Sequence, residues 1–216
     1  MNKVLLVFHQ LVCLFKRFVD YSLRMNIQSQ LGYLDKSAHL RLPDYCTCPS
    51  KIYMYENTNI YEHANFIISP KGEKGKFIMK KNSGSAIGLT VITGNHHRDI
   101  GVLFKELLAT RAADEDKDII VEEDVWIGAN VTLLAGVKVG RGATVAAGAL
   151  CTKSIPPYAI VIGNPAKVIG FNYTPEEVIE HEKQLYPENE RIPLAKLVKN
   201  YQKYYLNRLD EISAML

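Results

Sequence analysis

The stretch that decides the fold runs from Val121 to Ile155 and reads VEEDVWIGANVTLLAGVKVGRGATVAAGALCTKSI. Apolar residues stand six apart along it, at Val121, Ile127, Leu133, Val139, Val145 and Cys151. Four residues after each stands a small or β-branched residue, at Val125, Val131, Val137, Ala143, Ala149 and Ile155. A helix with about 3.6 residues per turn cannot keep this period, whereas short strands joined by tight turns can. The repeat predicts an all-β solenoid, a parallel β-helix whose apolar positions point inward and stack coil on coil.

A weaker form of the same pattern precedes this stretch. Met54, Ile60 and Phe66 stand six apart, as expected for the first coils of a solenoid. The repeat closes near Val168. These limits predict three segments, with an N-terminal helical or irregular cap over residues 1–50, the β-helix over 51–170 and a C-terminal helical extension over 171–216.

The repeat has one long interruption, over residues 94–118. This segment opens with Gly94-Asn95-His96-His97-Arg98-Asp99, and residues 102–108 inside it predict a short helical turn. Long excursions from a regular solenoid are uncommon unless they serve a function. A lone loop histidine is more often exposed and idle, but its place at the start of the one long interruption makes this loop the first candidate for chemistry.

Both ends of the chain predict helices. Residues 1–25 carry apolar side chains at near-helical spacing together with Lys16, Arg17 and Arg24. Their simplest interpretation is a helix packed on the core or on a neighbouring subunit, and the alternative is weak association with an anionic membrane surface. At the other end, Thr174-Pro175-Glu176-Glu177 is a helix start that predicts a helix to Leu185, and a second helix is predicted over residues 194–216.

Composition narrows the classes of function. The formal charge of +3, from 26 basic and 23 acidic residues, is too balanced to indicate a nucleic-acid partner. Of the four cysteines only Cys46 and Cys48 are close, and a C-x-C pair without a second pair is a poor zinc signal. Cys151 occupies an inward position of the repeat and is interpreted as an apolar filler. Nothing here demands an oxidising compartment, which predicts a cytoplasmic protein.

Several motifs together resemble those of the hexapeptide-repeat acyltransferases. The motifs are VWIGAN at 125–130, GVKVG at 136–140, AG at 147–148, TKSIPP at 152–157 and GNPAKVI at 163–169. The chain is similar to the branch that acetylates galactosides, maltose and xenobiotics, and to the sugar O-acetyltransferases of capsule and surface-polysaccharide synthesis. The resemblance covers about residues 86–170. It implies a left-handed parallel β-helix, a homotrimer with active sites between subunits, and acetyl-CoA as co-substrate, with no metal.

Acetyl transfer from a thioester to a hydroxyl needs a base within hydrogen-bond reach of the hydroxyl, and histidine suits this task near neutral pH. In similar enzymes one histidine follows a Thr-Gly or Gly-Ala-Asn segment where the loop leaves the β-helix. The matching segment here is Thr93-Gly94-Asn95-His96-His97. The Asn-His match of the xenobiotic branch implies that His96 is the base, and the register of the galactoside branch leaves His97 as the alternative.

The resemblance also implies a set of residues that bind the co-substrate. Ala129 and Ala147 would offer backbone groups to the pantetheine arm, Thr152 and Lys153 would lie beside the phosphate-bearing end, and Lys167 would meet the nucleotide phosphate. Small residues are also required at the corners of the fold itself.

Two further positions are open to a functional or a structural interpretation. A second basic residue that the family carries three positions after Lys167 is Gly170 here. Trp126 either lines the pocket beside the loop histidine or covers a coil edge.

The acceptor site is predicted less directly. Asn82 and Ser85 precede the loop and are candidates for bonding a sugar, although turns use the same residues.

The predicted activity is acetyl-CoA-dependent O-acetylation of a sugar. The alternatives are a xenobiotic acetyltransferase of the same branch, a zinc carbonic anhydrase on the same β-helix, and a β-helix that only scaffolds partners. The carbonic anhydrase needs three converging histidines, and only His63 is available to join the adjacent His96 and His97.

Overall fold

The computed structural model describes residues 3–110 and 115–215. Its strands are short and follow one another in groups of three. The first three coils contain β1 (Tyr33–Leu34), β2 (His39–Leu40), β3 (Tyr45–Cys46), β4 (Ile52–Met54), β5 (Asn59–Ile60), β6 (Asn65–Ile67), β7 (Phe77–Met79), β8 (Gly84–Ser85) and β9 (Thr90–Ile92). The next two contain β10 (Ile119–Val121), β11 (Trp126–Ile127), β12 (Thr132–Leu134), β13 (Lys138–Val139), β14 (Thr144–Val145) and β15 (Leu150–Cys151), and β16 (Ala159–Ile162) and β17 (Lys167–Phe171) follow.

Successive strands belong to three different sheets. Sheet 1 has the order β1-β4-β7-β10-β13, sheet 2 the order β2-β5-β8-β11-β14-β16-β17, and sheet 3 the order β3-β6-β9-β12-β15. All neighbouring strands are parallel except β16 and β17, which pair antiparallel. The chain therefore passes through the three sheets in turn, and each circuit adds one strand to each sheet. We call the turns between them the 1–2, 2–3 and 3–1 corners.

The prediction that the repeat points inward is confirmed. Val121, Ile127 and Leu133 lie in sheets 1, 2 and 3 respectively, all fully buried, and the next three hexad residues repeat this placement one coil later. The sequence repeats every six residues because each side of a coil consists of one short strand and one corner. At Gly128 the coils approach so closely that an added Cβ would lie 2.6 Å from the backbone nitrogen of Ala147.

The coils begin earlier than predicted, because β1 starts at Tyr33, inside the segment 1–50 interpreted as a cap. The sequence carries the signal for this coil in Leu34, Leu40 and Cys46, which stand six apart and pair in register with Met54, Ile60 and Phe66. Polar residues between them weaken the pattern, as is usual for the end coil of a solenoid.

The N-terminal prediction of a helix is confirmed by α1 (Lys3–Ser29). Its apolar side does not pack on the coils of its own chain, because Phe8, Phe15 and Phe18 are 66%, 68% and 67% exposed. The apolar side of α1 is therefore not packed on its own core, and packing on a neighbouring subunit stays a prediction. Within residues 3–110 and 115–215, none of the helices has the length and apolar character required to span a bilayer.

Inside the interruption of the repeat lies α2 (Phe104–Thr110). It begins and ends two residues later than the helical turn expected over 102–108. Helices α3 (Pro175–Leu185), α4 (Leu194–Tyr204) and α5 (Leu209–Ser213) follow the last coil. Short 3-10 turns occupy Pro49–Lys51, Glu188–Glu190 and Leu206–Arg208.

The start of α3 is the predicted capping box. Thr174 accepts a hydrogen bond from the Glu177 backbone N–H, and the Glu177 carboxylate accepts one from the Thr174 N–H at 2.8 Å. The single helix predicted over 194–216 is wrong, since it breaks at Tyr205, whose backbone is not helical. Arg208 lies just beyond the break and donates to the carbonyl of Val168 at 3.2 Å, which holds the chain against the last coil.

Candidate active site

The interrupting loop leaves the coils at the 3–1 corner, directly after β9. Its two arms are hydrogen bonded side by side, because the Lys117 N–H donates to the Thr93 carbonyl at 3.1 Å and the Glu115 N–H donates to the Asn95 carbonyl at 3.2 Å. The Thr93 N–H in turn donates to the Ile67 carbonyl of the coil before. The backbone just before His96 is therefore fixed to the solenoid.

Both candidate histidines are exposed at the start of this loop. The ring of His96 meets the ring of Phe104 edge to face, with centroids 5.6 Å apart, and the Arg98 guanidinium lies 4.4 Å from the centroid of the same phenyl ring. His97 instead has its Nε2 atom 2.9 Å from Oδ1 of Asp99. The loop thus holds one imidazole by an aromatic contact and the other by a carboxylate.

The predicted co-substrate residues lie on both edges of sheet 3. Ala129 and Ala147 occupy the 2–3 corner on successive coils, where the Gly148 N–H donates to the Ala129 carbonyl at 2.8 Å. Thr152 and Lys153 are exposed at the 3–1 corner, the corner from which the histidine loop leaves two coils earlier. With strands about 4.8 Å apart, this places the root of the loop about 10 Å from the coil of Lys153.

The outer face of sheet 3 connects these two edges. Thr90, Thr132 and Leu150 stand in register across β9, β12 and β15 and are half-buried. A face lined by two threonines and a leucine therefore runs from the 2–3 corner, with Ala129 and Ala147, to the 3–1 corner, where the histidine loop leaves.

Two of the remaining candidates lie off sheet 3. Lys167 opens β17, and its Nζ atom is 3.3 Å from Oε1 of Glu211 in α5. Hydrogen bonds from Arg208 and then Lys167 lower the pKa of Glu211 to about 2. Trp126 is 49% exposed on the outer face of sheet 2, in register with Gly84 and Thr144. Within one chain it therefore lies on a different sheet from the one that leads into the histidine loop.

The two tentative acceptor residues are remote from the loop. Asn82 is exposed at the 1–2 corner with a φ of 61°, and its Oδ1 atom accepts from Nδ2 of Asn57 at 3.2 Å. Ser85 is fully buried at an inward position in register with Ile60 and Ile127. Its hydroxyl has no hydrogen-bond partner among the described residues, and it faces the core rather than a bound sugar.

Comparison with known proteins identifies the coils. Residues 118–153 match the family model described as bacterial transferase hexapeptide, six repeats. The repeat is that of the bacterial hexapeptide transferases. A segment of 51 residues is 59% identical to 2,3,4,5-tetrahydropyridine-2,6-dicarboxylate N-acetyltransferase from Staphylococcus aureus. This segment makes up 24% of this chain and 21% of that relative. The chain thus spans about a fifth of the length of the curated relatives it matches.

Solved structures share the fold of these coils. A maltose O-acetyltransferase from Clostridium difficile superposes with a TM-score of 0.54 at 22% identity over 66% of this chain and 70% of that chain. A hexapeptide-repeat acetyltransferase from Vibrio cholerae in complex with acetyl coenzyme A superposes with a TM-score of 0.55 at 22% identity. The superposition covers 68% of this chain and 74% of that chain. The resemblance inferred from the hexapeptide motifs is therefore confirmed at the level of the repeat and its fold.

The residues that a metal-dependent hexapeptide enzyme would need do not converge in the part of the chain that the structure describes. No group of three histidine, cysteine, aspartate or glutamate side chains there is arranged to hold a metal ion. His63 occupies the 2–3 corner and contacts Asp44 at 3.1 Å, whereas His96 leaves from the opposite edge of sheet 3.

One lysine that the hexapeptide pattern did not single out stabilises the turn that lies one coil before the histidine loop. Lys51 is only 8% exposed, and its Nζ atom donates to the carbonyls of Ser69, Lys71 and Lys74 at 2.6, 2.8 and 2.8 Å. These carbonyls belong to the turn of the preceding coil at the same 3–1 corner. The Lys76 N–H at the end of this turn donates to the Asp118 carboxylate at 2.8 Å, where the histidine loop returns.

Replacing Lys51 with methionine is expected to lower the free energy of unfolding by about 1–3 kcal/mol, because three backbone carbonyls lose their charged donor while the alkyl chain remains. Urea unfolding followed by far-UV circular dichroism measures the change. Lys74→Met makes the same substitution at an exposed position of the same turn and is expected to change stability by less than about 0.5 kcal/mol. Equal effects of the two variants would show that the three hydrogen bonds do not stabilise the turn.

Proposed function

We propose that the protein is an acetyl-CoA-dependent O-acetyltransferase that acts on a hydroxyl of a sugar, with a capsule or surface-polysaccharide precursor as acceptor. The observation that carries the proposal is the position of the histidine loop. It leaves the hexapeptide coils at one edge of sheet 3, whose other edge is formed by Ala129 and Ala147. The complex of the Vibrio cholerae acetyltransferase with acetyl coenzyme A, on a similar fold, supports the choice of co-substrate.

The residues along sheet 3 fit the chemical parts of this co-substrate. A thin pantetheine arm needs small side chains, and a Cβ added at Gly148, between Ala147 and Ala149, would meet nothing within 4 Å. Phosphate groups need a cation, and Lys153 is exposed with no ion pair among the described residues. Lys167 suits the same role only after its contact with Glu211 opens.

The histidine supplies the proton transfers. Acetyl-CoA provides a thioester carbon that an alcohol oxygen can attack. The imidazole of His96 takes the proton of the alcohol as the new carbon–oxygen bond forms, and returns it to sulfur as the carbon–sulfur bond breaks. The hydrogen bonds at the root of the loop hold the ring at the sheet edge, so that little reorganisation is required. His97 is the alternative base, with Asp99 as its orienting carboxylate.

We place the active site between neighbouring subunits of a homotrimer of left-handed β-helices. Trp126 and the histidine loop lie on different faces of one chain, and a neighbouring copy would bring sheet 2 of one subunit next to sheet 3 of another. Ile67 and Ile92, side by side on the outer face of sheet 3, provide apolar surface for such a contact. We place the protein in the cytoplasm because all four cysteines are free thiols.

Acetylation of an amine is the second candidate function. The 51-residue match to a Staphylococcus aureus N-acetyltransferase favours it, because the same coils would present the thioester to either nucleophile. A xenobiotic acceptor, hydroxyl or amine, fits the same chemistry.

Thiol release from acetyl-CoA tests the proposal. Purified protein is incubated with acetyl-CoA and a panel of sugars, amino sugars and hydroxylated antibiotics, and the acetylated product is identified by mass spectrometry. We expect acceptor-dependent thiol release and an ester on a sugar hydroxyl. An amide product would favour the second function, and no release with any acceptor, together with no binding of acetyl-CoA by calorimetry, would favour a scaffold.

A further inference from the structure

Helix α1 presents a broad apolar side to solvent, although its C-terminal end is attached to the first coil. The attachment is made by Gln28, whose Nε2 atom donates to the Leu40 carbonyl at 2.8 Å. At the centre of the free side lie Leu11, Phe15 and Phe18, all more than half exposed. Apolar surface of this extent on a well-formed helix indicates a contact with something outside the chain.

Charge surrounds this apolar side in a regular way. At about 100° per residue, Lys16 and Arg17 fall on opposite borders of the apolar arc, roughly 120° from its centre. The sequence of α1 contains Lys3, Lys16, Arg17 and Arg24 but only Asp20 as an acid. Each border of the apolar side therefore carries one exposed cation, Lys16 or Arg17, whereas the Nε atom of Arg24 is buried on the other side of the helix. The two exposed cations fit an anionic surface.

A second copy of the helix fits this pattern less well. The positions Leu11, Leu14 and Phe18 have the 3–4 spacing of a coiled-coil seam, but the apolar arc extends beyond that seam to Phe8 and Phe15. On the other side of the seam, positions 17 and 24 are both arginine. Coiled-coil helices are normally paired by opposite charges at the positions that flank the seam. Here phenylalanines occupy these positions on one side and arginines on the other, so no such charge pairs can form.

We propose that α1 lies in the plane of an anionic lipid bilayer, with its phenylalanines in the boundary between headgroups and acyl chains and its basic residues at the level of the headgroups. This geometry is that of an interfacial amphipathic helix. It places the coils beside the membrane without a spanning segment, since none of the helices in the described ranges qualifies as one.

Vesicle sedimentation of the full-length protein tests this placement. We expect the protein to pellet with phosphatidylcholine vesicles in which about a third of the lipid is phosphatidylglycerol, and to pellet much less with phosphatidylcholine alone or at high salt. The double variant Phe15→Gln/Phe18→Gln should weaken binding at least about tenfold, because two large rings no longer enter the lipid. Gln is a good helix former, so the helix itself persists.

Two controls separate the possible results. Leu6→Gln makes the same kind of change on the opposite side of α1, where Leu6 is 42% exposed, and should leave binding within about twofold. Lys16→Gln/Arg17→Gln should weaken binding to the anionic vesicles by about fivefold per residue, and should not alter binding to neutral ones.

Sedimentation velocity without lipid then tests whether a second copy of the chain, rather than lipid, covers the apolar side of α1. If Phe15→Gln/Phe18→Gln lowers the oligomeric mass, a second copy covers the helix and the membrane proposal is overturned. Wild-type protein that stays in the supernatant with anionic vesicles, or a double variant that pellets like Leu6→Gln, overturns it equally.

Discussion

Replacing His96 with alanine is expected to lower the acetyl-transfer rate by about 10²- to 10⁴-fold, the range that a positioned general base contributes. The backbone hydrogen bonds of Thr93 and Asn95 hold the root of the loop whether or not the imidazole is present. The substitution should therefore remove the proton acceptor without displacing the loop. Thiol release at saturating acetyl-CoA and acceptor measures the loss, and an unchanged KM for acetyl-CoA would assign it to the chemical step.

His97→Ala is the matched control, since it removes an exposed imidazole from the next position of the same loop. We expect it to change the rate by no more than a few-fold. The opposite result, with activity kept in the His96 variant and lost in the His97 variant, would move the base by one residue. Asp99→Asn gives an independent answer, because it weakens the contact that orients His97 and leaves the His96–Phe104 contact unchanged.

The sequence predicted the core of the coils because that information is local and periodic. Each inward position needs only an apolar residue at the correct count, so Val121, Ile127 and Cys151 were placed correctly. Burial raises the pKa of the Cys151 thiol to about 12, in keeping with a filler rather than a reactive group. The repeat does not predict the start of the coils at Tyr33, although Leu34 and Leu40 have the same six-residue spacing, because the polar residues of the end coil outnumber these two leucines.

Side chains that act through non-local contacts could not be predicted in this way. Lys51 reads as one more surface lysine until the fold brings three carbonyls of a later turn around its ammonium group. Ser85 reads as a turn residue that is available to a ligand, yet the register of β8 turns it into the core. The role of Trp126 would depend on a contact with a neighbouring subunit in the homotrimer proposed above, and the sequence of one chain does not encode the geometry of such a contact in any periodic signal.

Replacing Glu182 with alanine is expected to lower the free energy of unfolding by about 3–5 kcal/mol, the usual consequence of removing one member of a buried ion pair. The side chain of Glu182 in α3 is fully buried. Its carboxylate accepts hydrogen bonds from Nη1 of Arg141 at 3.1 Å, from the Tyr158 hydroxyl at 3.0 Å and from the Ile192 N–H at 2.5 Å. Three donors from the coils and the C-terminal segment therefore converge on one acceptor.

Other contacts hold the neighbours of this carboxylate in place. The Arg141 guanidinium is already held by Glu123 at 2.8 Å and lies 4.0 Å from the centroid of the Tyr186 ring. Burial, together with the charge of Glu182, raises the pKa of the Tyr158 hydroxyl, so this group stays a neutral donor at any physiological pH. An alanine at position 182 would leave the Tyr158 hydroxyl and the Ile192 N–H without this acceptor, and would remove one of the acceptors of Arg141, which keeps Glu123 and the Glu190 carbonyl.

Glu180→Ala is the matched control, because it makes the same substitution in the same helix at a side chain that is 68% exposed and forms an ion pair with Lys183. An exposed pair of this kind contributes roughly 0.3–0.5 kcal/mol, so the two variants should differ by about tenfold in their effect on stability. Urea unfolding measures both, and hydrogen exchange in α3 and α4 locates the change. If the Glu182 variant unfolds at the urea concentration of the Glu180 variant, the C-terminal helices are held by their apolar contacts with the last coil, and the buried carboxylate contributes little net free energy.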